Sequence, residues 1–60
     1  MNKEEKFLDW AGYMNTKTIY GAPLYNSDVV IDFEKYYDDE LSNEENEEVF
    51  KKWVDNDYSI

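Results

Sequence analysis

The sequence predicts a mainly α fold, a small three-helix domain with an ordered loop or a short β-hairpin. Its 60 residues suffice for a single domain, which we expect to span residues 1–60. Apolar residues recur at the spacing of one helical face in three segments. Residues that cap helices well precede each of these stripes. The alternative is an α+β fold with strands at 16–20 and 29–37, which the β-branched residues of these segments leave open.

The first predicted helix covers residues 2–13. Asn2 is a good cap, and Glu5, three residues later, completes a start similar to a capping box. Gly12 weakens the C-terminal turn, so we expect the helix to end near Tyr13. One face of this helix carries the apolar residues Phe7, Trp10, Ala11 and Met14.

Residues 15–26 form the least regular segment. Residues 16–20 favour a strand, and Gly-Ala-Pro at 21–23 favours a turn. A short return strand at 24–25 completes a hairpin, which is marginal in water unless it packs on the rest of the domain. The alternative is an ordered loop pinned by Ile19, Tyr20, Leu24 and Tyr25.

The second predicted helix covers residues 28–41. Either Ser27 or Asp28 can cap it. The β-branched run at 29–31, followed by alternating apolar and polar residues, favours the strand alternative for the same segment. Helical spacing is shown by a stripe of four apolar residues, Val30, Phe33, Tyr37 and Leu41.

The third predicted helix covers residues 43–55. Ser42 and Glu45 have the spacing of a capping box. Two glutamate–lysine pairs stand in the favoured i,i+4 order, namely Glu47 with Lys51 and Glu48 with Lys52. The buried stripe is expected to consist of Val49, Phe50, Trp53 and Val54.

Large aromatic side chains are expected to supply most of the core. A domain of this size buries only about 60% of the surface that its unfolded chain exposes. The chain offers two Trp, six Tyr and three Phe for this purpose. The predicted core consists of Phe7, Trp10, Met14, Ile19, Leu24, Val30, Phe33, Tyr37, Leu41, Val49, Phe50, Trp53 and Val54.

The composition excludes several kinds of chemistry. The absence of Cys and His excludes disulfides, Cys/His zinc sites, and Ser-His or Cys-His nucleophile pairs. Carboxylate pairs are numerous, but a catalytic pair needs a pocket that separates the two pKa values, and so thin a core hardly encloses one. The EF-hand pattern is missing. We therefore predict a protein that is not an enzyme and has no cofactor and no dedicated metal site.

Acidic residues are concentrated in the second half of the chain. Fifteen Asp and Glu residues against six Lys give a net charge of −9, of which residues 31–60 carry −8. This sign opposes direct binding to nucleic-acid phosphates and to anionic membranes. Residues i and i+4 of a helix are about 6 Å apart along its axis, close to the roughly 6.8 Å between every second phosphate of a DNA strand. Glu40, Glu44 and Glu48 follow this spacing if one helix continues through all three.

In size, and in the charge of residues 32–57, the chain resembles the small acidic DNA-mimic inhibitors that phages and mobile elements make against host DNA-binding enzymes. Those inhibitors block restriction enzymes, CRISPR effectors and uracil-DNA glycosylase. The resemblance implies a non-catalytic anti-defence inhibitor that mimics phosphate charge and blocks a basic groove of a host DNA- or RNA-binding protein. The expected partner-binding residues are Tyr36, Asp38, Asp39, Glu40, Glu44, Glu45, Glu48, Asp55 and Asp57.

The alternative function is a protein–protein interaction adaptor that binds through surface aromatic residues, because so small a core cannot bury six tyrosines. Tyr25 and Tyr36 are its expected contacts. A homodimer is a further expectation, since a second copy can cover spare aromatic rings, although the charge of each chain opposes it. The charged N-terminus is unlike a signal peptide, and no long apolar run follows it, so we expect a cytoplasmic protein of a bacterial host cell that does not contact the membrane.

Overall fold

The computed structural model describes residues 2–57. Within this range the chain forms three α-helices, α1 (Lys3–Asn15), α2 (Ser27–Asp32) and α3 (Asn43–Asp57). A 3₁₀ helix, Phe33–Tyr36, continues α2, and strand β1 (Thr18–Ile19) pairs antiparallel with β2 (Ala22–Pro23). The predicted mainly α domain is confirmed, with the short hairpin rather than the ordered loop, whereas the longer strands of the α+β alternative do not form. The return strand lies at Ala22–Pro23 and not at the predicted 24–25, because the chain already turns at Tyr20 and Gly21.

Helix α1 begins as predicted and ends later than predicted. The side-chain oxygen of Asn2 accepts the Glu5 N–H at 2.8 Å, which confirms the expected cap. The helix passes Gly12 and Tyr13 and continues to Asn15. Thr16 ends it, since its N–H binds the Gly12 carbonyl at 3.1 Å and its hydroxyl donates to the Tyr13 carbonyl at 2.7 Å.

The second helix has a different cap from the expected one. The side-chain oxygen of Asn26 accepts the Asp28 N–H at 2.8 Å, so Asn26, rather than Ser27 or Asp28, occupies the capping position. Asn is as good a helix cap as Ser or Asp. With the cap at Asn26, Ser27 joins the first turn of the helix.

The predicted extent of this helix, 28–41, is also wrong. Regular structure ends at Tyr36, and Tyr37 is extended, with ψ at 132°. The N–H and the carbonyl of Asp38 both bind the side chain of Asn46. A continued helix would need these two backbone groups for its own hydrogen bonds, so the Asn46 contact replaces the last turn of the predicted helix.

Helix α3 confirms the predicted capping box. Ser42 Oγ accepts the Glu45 N–H at 3.1 Å, and Glu45 Oε1 accepts the Ser42 N–H at 3.0 Å. The helix then extends to Asp57, two residues past the expected end at 55.

The core is a cluster of aromatic rings around Trp10, which is completely buried. Its ring centroid lies 5.2 Å from that of Phe33 and 5.8 Å from that of Phe50, so the side chain joins α1 to the two later helices. Its indole N–H donates to the Asn43 carbonyl at 3.2 Å, at the start of α3. The buried apolar residues are Phe7, Trp10, Ala11, Met14, Val30, Phe33, Tyr37 and Phe50.

Four residues of the predicted core are not buried in it. Ile19 and Leu24 are 50% and 42% exposed because the short hairpin projects from the helices. Val49 is 40% exposed, since at 3.6 residues per turn it lies on the side of α3 away from the buried Glu47. Leu41 is only half-buried in the loop before α3. Two other expected members, Trp53 and Val54, are partly buried and pack against the core.

Candidate interaction surface

The structure places the nine predicted partner-binding residues in three neighbouring parts of the chain. Tyr36 is the last residue of the 3₁₀ helix, and its ring packs against that of Trp53 in a tilted arrangement with centroids 5.7 Å apart. Asp38, Asp39 and Glu40 belong to the loop 37–42, where Asp39 is half-buried and the other two are exposed. The remaining five lie on α3 with exposed side chains: Glu44, Glu45, Glu48, Asp55 and Asp57.

The acidic loop 37–42 is held by one buried side chain, that of Asn46. Its amide oxygen accepts the Asp38 N–H at 3.2 Å, and its amide nitrogen donates to the Asp38 carbonyl at 2.9 Å. The same nitrogen lies 3.4 and 3.3 Å from the carbonyl oxygens of Leu41 and Ser42. Asn46 is only 1% exposed, so its polar atoms are satisfied by the loop rather than by water.

Sequence reasoning missed Asn46, although a signal was present. The residue stands four positions before Phe50, on the buried face of α3, where the helical pattern expects an apolar side chain. A polar residue on a buried stripe implies a specific hydrogen-bond partner.

We expect Asn46→Ala to destabilise the fold by about 2 kcal/mol, because the substitution removes the partner of the Asp38 N–H and leaves the Asp38 carbonyl with only the Leu41 N–H, at 3.2 Å. Urea unfolding measures the loss, and amide hydrogen exchange of Asp38 reports the release of the loop. Asn56→Ala, at an exposed position in the last turn of α3, is the matched control. Equal stability of the two variants would contradict this account of the loop.

Two of the predicted contact carboxylates are already engaged within the chain. Asp38 Oδ1 accepts the Glu40 N–H at 2.9 Å and closes a turn in the loop. Glu45 accepts the Ser42 N–H in the capping box, and this backbone hydrogen bond lowers the pKa of Glu45. Both side chains shape the acidic loop and are less free than the others to turn towards a partner.

The expected row of carboxylates is not one continuous helix. Glu40 lies in a turn, and the helix starts only at Asn43 because Ser42 caps it. Glu44 and Glu48 remain one helical turn apart, about 6 Å along the axis. At about 100° per residue, Asp55 shares their side of α3, whereas Asp57 lies on the opposite side. We call Asp39, Glu40, Glu44, Glu48 and Asp55 together the acidic surface.

Lysine contacts reduce the charge of this surface at one point. Lys51 Nζ lies 3.6 Å from Glu48 and 4.0 Å from Glu47, so the predicted Glu47–Lys51 pair is present at the limit of an ion pair. Among the described residues, Glu48 pairs with Lys51 and not with the predicted Lys52, and Glu44 has no ion pair. Exposed pairs of this kind contribute little to stability, so Glu48 can exchange Lys51 for a cationic partner.

A buried carboxylate, Glu47, connects three parts of the fold, and sequence reasoning assigned it only a surface pair. Its oxygens accept hydrogen bonds from the hydroxyls of Tyr25 at 2.7 Å and Tyr13 at 3.2 Å, and Lys17 Nζ lies 3.2 Å away. Burial acts to raise the pKa of Glu47, but the bonds from Tyr25, Lys17 and Tyr13 outweigh it and leave the pKa below its ordinary value. Glu47 is therefore ionised at neutral pH.

The hairpin between α1 and α2 is mounted on this carboxylate. Lys17 and Tyr25, the residues that flank it, both bind Glu47, and the Leu24 N–H donates to the Lys17 carbonyl at 3.0 Å. Its turn has positive φ at both central residues, 53° at Tyr20 and 79° at Gly21, as in a type I′ turn. The left-handed conformation costs a non-glycine residue about 1–2 kcal/mol.

Among residues 2–57, the aromatic side chain most exposed to solvent is that of Tyr20, which was not among the predicted contacts. It is completely exposed, whereas Tyr36 is 50% exposed. Tyr25, an expected contact of an adaptor, is half-buried, because its ring packs against Phe50 at 5.3 Å and its hydroxyl binds Glu47. Its role in the structure is to anchor the hairpin.

Over residues 2–57, no helix has the length and apolar character needed to cross a membrane. In the same range, Asp and Glu side chains do not gather in threes as a metal site requires. No family model matches the chain, and neither the curated proteins nor the solved structures include one with significant similarity to it.

Proposed function

We propose that the protein is a non-catalytic inhibitor that docks its acidic surface in a basic groove of a nucleic-acid-binding protein. The observation that carries the proposal is the fixed backbone beneath the carboxylates. The buried Asn46 holds the loop that bears Asp39 and Glu40, and the capping box fixes the start of the helix that bears Glu44 and Glu48.

The distribution of charge supports this function. Of the 15 acidic residues, Glu47 alone is buried, so nearly all of the negative charge faces solvent. A surface of one sign attracts an oppositely charged groove at long range, which accelerates association and makes it sensitive to salt.

Preorganisation is the second support. Binding loses affinity when flexible loops and side chains must become ordered in the complex. Here the loop and the helix start are ordered before binding, by hydrogen bonds that lie within the chain. What remains to be ordered is the outer part of each carboxylate side chain.

The test compares two double charge reversals. Glu44→Lys with Glu48→Lys alters the acidic surface, whereas Glu5→Lys with Asp9→Lys changes the net charge equally on α1. Both pairs are exposed, have i,i+4 spacing and begin in the first turn of a helix. A partner is first retained from bacterial lysate on the immobilised protein and identified, and its affinity for each variant is then measured.

We expect the charge reversal on α3 to lower the affinity for the purified partner more than 100-fold, since close interfacial charge pairs couple by about 1.5–7 kcal/mol. The α1 reversal should change the affinity by less than about 10-fold, through long-range steering alone. Excess nucleic acid should displace the partner. Equal effects of the two reversals, or no displacement by nucleic acid, would contradict the proposal.

An adaptor function is the second candidate, favoured by the half-exposed ring of Tyr36 on Trp53. It predicts that Tyr36→Ala lowers the affinity for the partner more than the charge reversal on α3 does. It also predicts that nucleic acid displaces little of the partner. The same set of affinity measurements therefore separates the two functions.

A further inference from the structure

The hairpin is an uncharged, apolar projection on an acidic molecule. Residues 18–27 contain no charged side chain, in a chain with a net charge of −9. Three of the large apolar side chains of this segment face solvent, with exposed fractions of 50% for Ile19, 101% for Tyr20 and 42% for Leu24. Both two-residue strands consist of exposed residues.

The ring of Tyr20 has no role within the described fold that accounts for its position. It stands at the first central residue of a type I′ turn, with φ at 53°, where Asn, Asp or Gly are the usual residues. A completely exposed side chain contributes no burial to the core. Its only large surface, the aromatic ring, is therefore available to a binding partner.

The base of the hairpin lies beside the acidic surface and is held there by contacts with Glu47. Lys17 and Tyr25 hold its two ends on the carboxylate of Glu47. Lys51 contacts both Glu47, at 4.0 Å, and Glu48, at 3.6 Å, so the base of the hairpin and the carboxylate row of α3 are neighbours. A partner wide enough to cover Glu48 and the base of the hairpin can then reach Tyr20 at the turn.

An aromatic ring beside a row of carboxylates fits one class of basic groove better than another. A groove that binds duplex DNA meets mainly phosphates and the edges of stacked base pairs, and it receives a separate ring only where the protein flips a base out of the stack. A groove that binds a single strand combines positive walls with aromatic or apolar platforms on which unstacked bases lie. The charge of both grooves is complementary to this protein, but the second offers platforms for a ring along its length rather than in a single pocket.

We infer that the partner binds single-stranded nucleic acid, and that the Tyr20 ring occupies one of its base-stacking slots while the neighbouring carboxylates of the acidic surface lie against its basic walls. This inference rests on the proposed function. It names the partner class more narrowly, and it assigns the hairpin an apolar contact that the carboxylates cannot supply.

The test uses the purified partner with two nucleic-acid probes, an oligothymidylate of about 16 nucleotides and a duplex of the same length. The oligothymidylate should displace the protein at a concentration at least about 10-fold lower than the duplex, since only the single strand fills the stacking slots. Displacement by the duplex at an equal or lower concentration would overturn the inference.

Two variants test the ring itself. Tyr20→Asn keeps the turn and removes the ring. We expect it to lower the affinity for the partner about 10- to 100-fold, the usual effect of one lost stacking contact. Tyr20→Phe keeps the ring and should stay within about threefold of the wild type. Because Asn suits the left-handed position better than Tyr, the melting temperature of Tyr20→Asn should equal or exceed that of the wild type. A fall in melting temperature would show a structural role for the ring and overturn the inference.

The outcomes separate this inference from the proposed function. If Tyr20→Asn binds as the wild type does while the reversal of Glu44 and Glu48 abolishes binding, the charged groove stands and the stacking slot is refuted. If neither nucleic-acid probe displaces the partner, the proposed function fails and this inference fails with it.

Discussion

We expect Trp10→Ala to leave the chain largely unfolded at room temperature. Trp10 is completely buried, and its ring contacts those of Phe7, Phe33, Tyr37 and Phe50 at centroid distances from 5.2 to 6.0 Å. Removing a buried tryptophan costs about 3–5 kcal/mol. A domain of 60 residues has a total stability of about 3–9 kcal/mol. The loss is therefore comparable to the whole stability of the fold.

Far-ultraviolet circular dichroism and urea titration measure this effect, and the second tryptophan provides the control. Trp53 is only partly buried at the edge of the core, so Trp53→Ala should lose less and still unfold cooperatively. Trp10→Phe keeps most of the ring contacts but loses the indole bond to the Asn43 carbonyl, and should be intermediate. If Trp10→Ala and Trp53→Ala had the same urea midpoint, Trp10 would not be the centre of the core.

The importance of Trp10 could be predicted because local spacing carries the information. Phe7, Trp10, Ala11 and Met14 occupy one helical face, and each is buried as the pattern indicates. The capping residues Asn2 and Ser42 also act locally, through hydrogen bonds to residues three positions away. Interactions within one helical turn are visible in a sequence without knowledge of the rest of the fold.

The candidate site was only partly predictable, because its geometry depends on contacts between distant parts of the chain. Glu47 binds Tyr13 and Tyr25, which are 34 and 22 residues away. Asn46 ends the second helical segment from a position eight residues beyond Asp38. Periodicity placed most of the acidic residues on the surface, but it could not show that Asp38 and Glu45 are used locally. The position of Tyr20 was also missed, because the sequence predicted the turn at 21–23 and a strand at 16–20, whereas the chain turns at Tyr20 and Gly21.

The buried carboxylate of Glu47 is a charged acceptor for three groups of the fold. We expect Glu47→Gln to lower the free energy of unfolding by about 2 kcal/mol at neutral pH, since hydrogen bonds to a charged group are worth about 1.5–3 kcal/mol and the amide carries no charge. The hydroxyls of Tyr13 and Tyr25 and the ammonium of Lys17 would all face a weaker acceptor. Glu48→Gln, at an exposed position whose ion pair is with Lys51, is the control and should change stability by less than about 0.5 kcal/mol.

The pH dependence of this difference identifies its cause. The folded-state pKa of Glu47 lies below its ordinary value of 4.5, so the unfolded chain takes up the proton more readily as the pH falls. The stabilisation by ionised Glu47 is therefore complete above the ordinary value and is lost as the pH falls through the folded-state pKa. Glu47→Gln has no such titration, and its deficit should shrink as the medium becomes acidic. The lowered pKa of Glu45 adds an acid dependence that is common to both proteins.

A deficit that stays constant into acid would show that Glu47 acts through packing rather than charge. Stabilisation through the charge of Glu47 would instead have a measurable consequence for the hairpin beside the acidic surface. If the charge holds Lys17 and Tyr25, its loss should loosen the hairpin before the core, and the Leu24 N–H, which closes the hairpin on Lys17, should exchange faster in Glu47→Gln. Faster exchange at Leu24 with unchanged protection of the α1 amides would link the buried charge to the mounting of Tyr20. In that case Glu47→Gln should also lower the affinity for the partner, although Glu47 itself faces the interior.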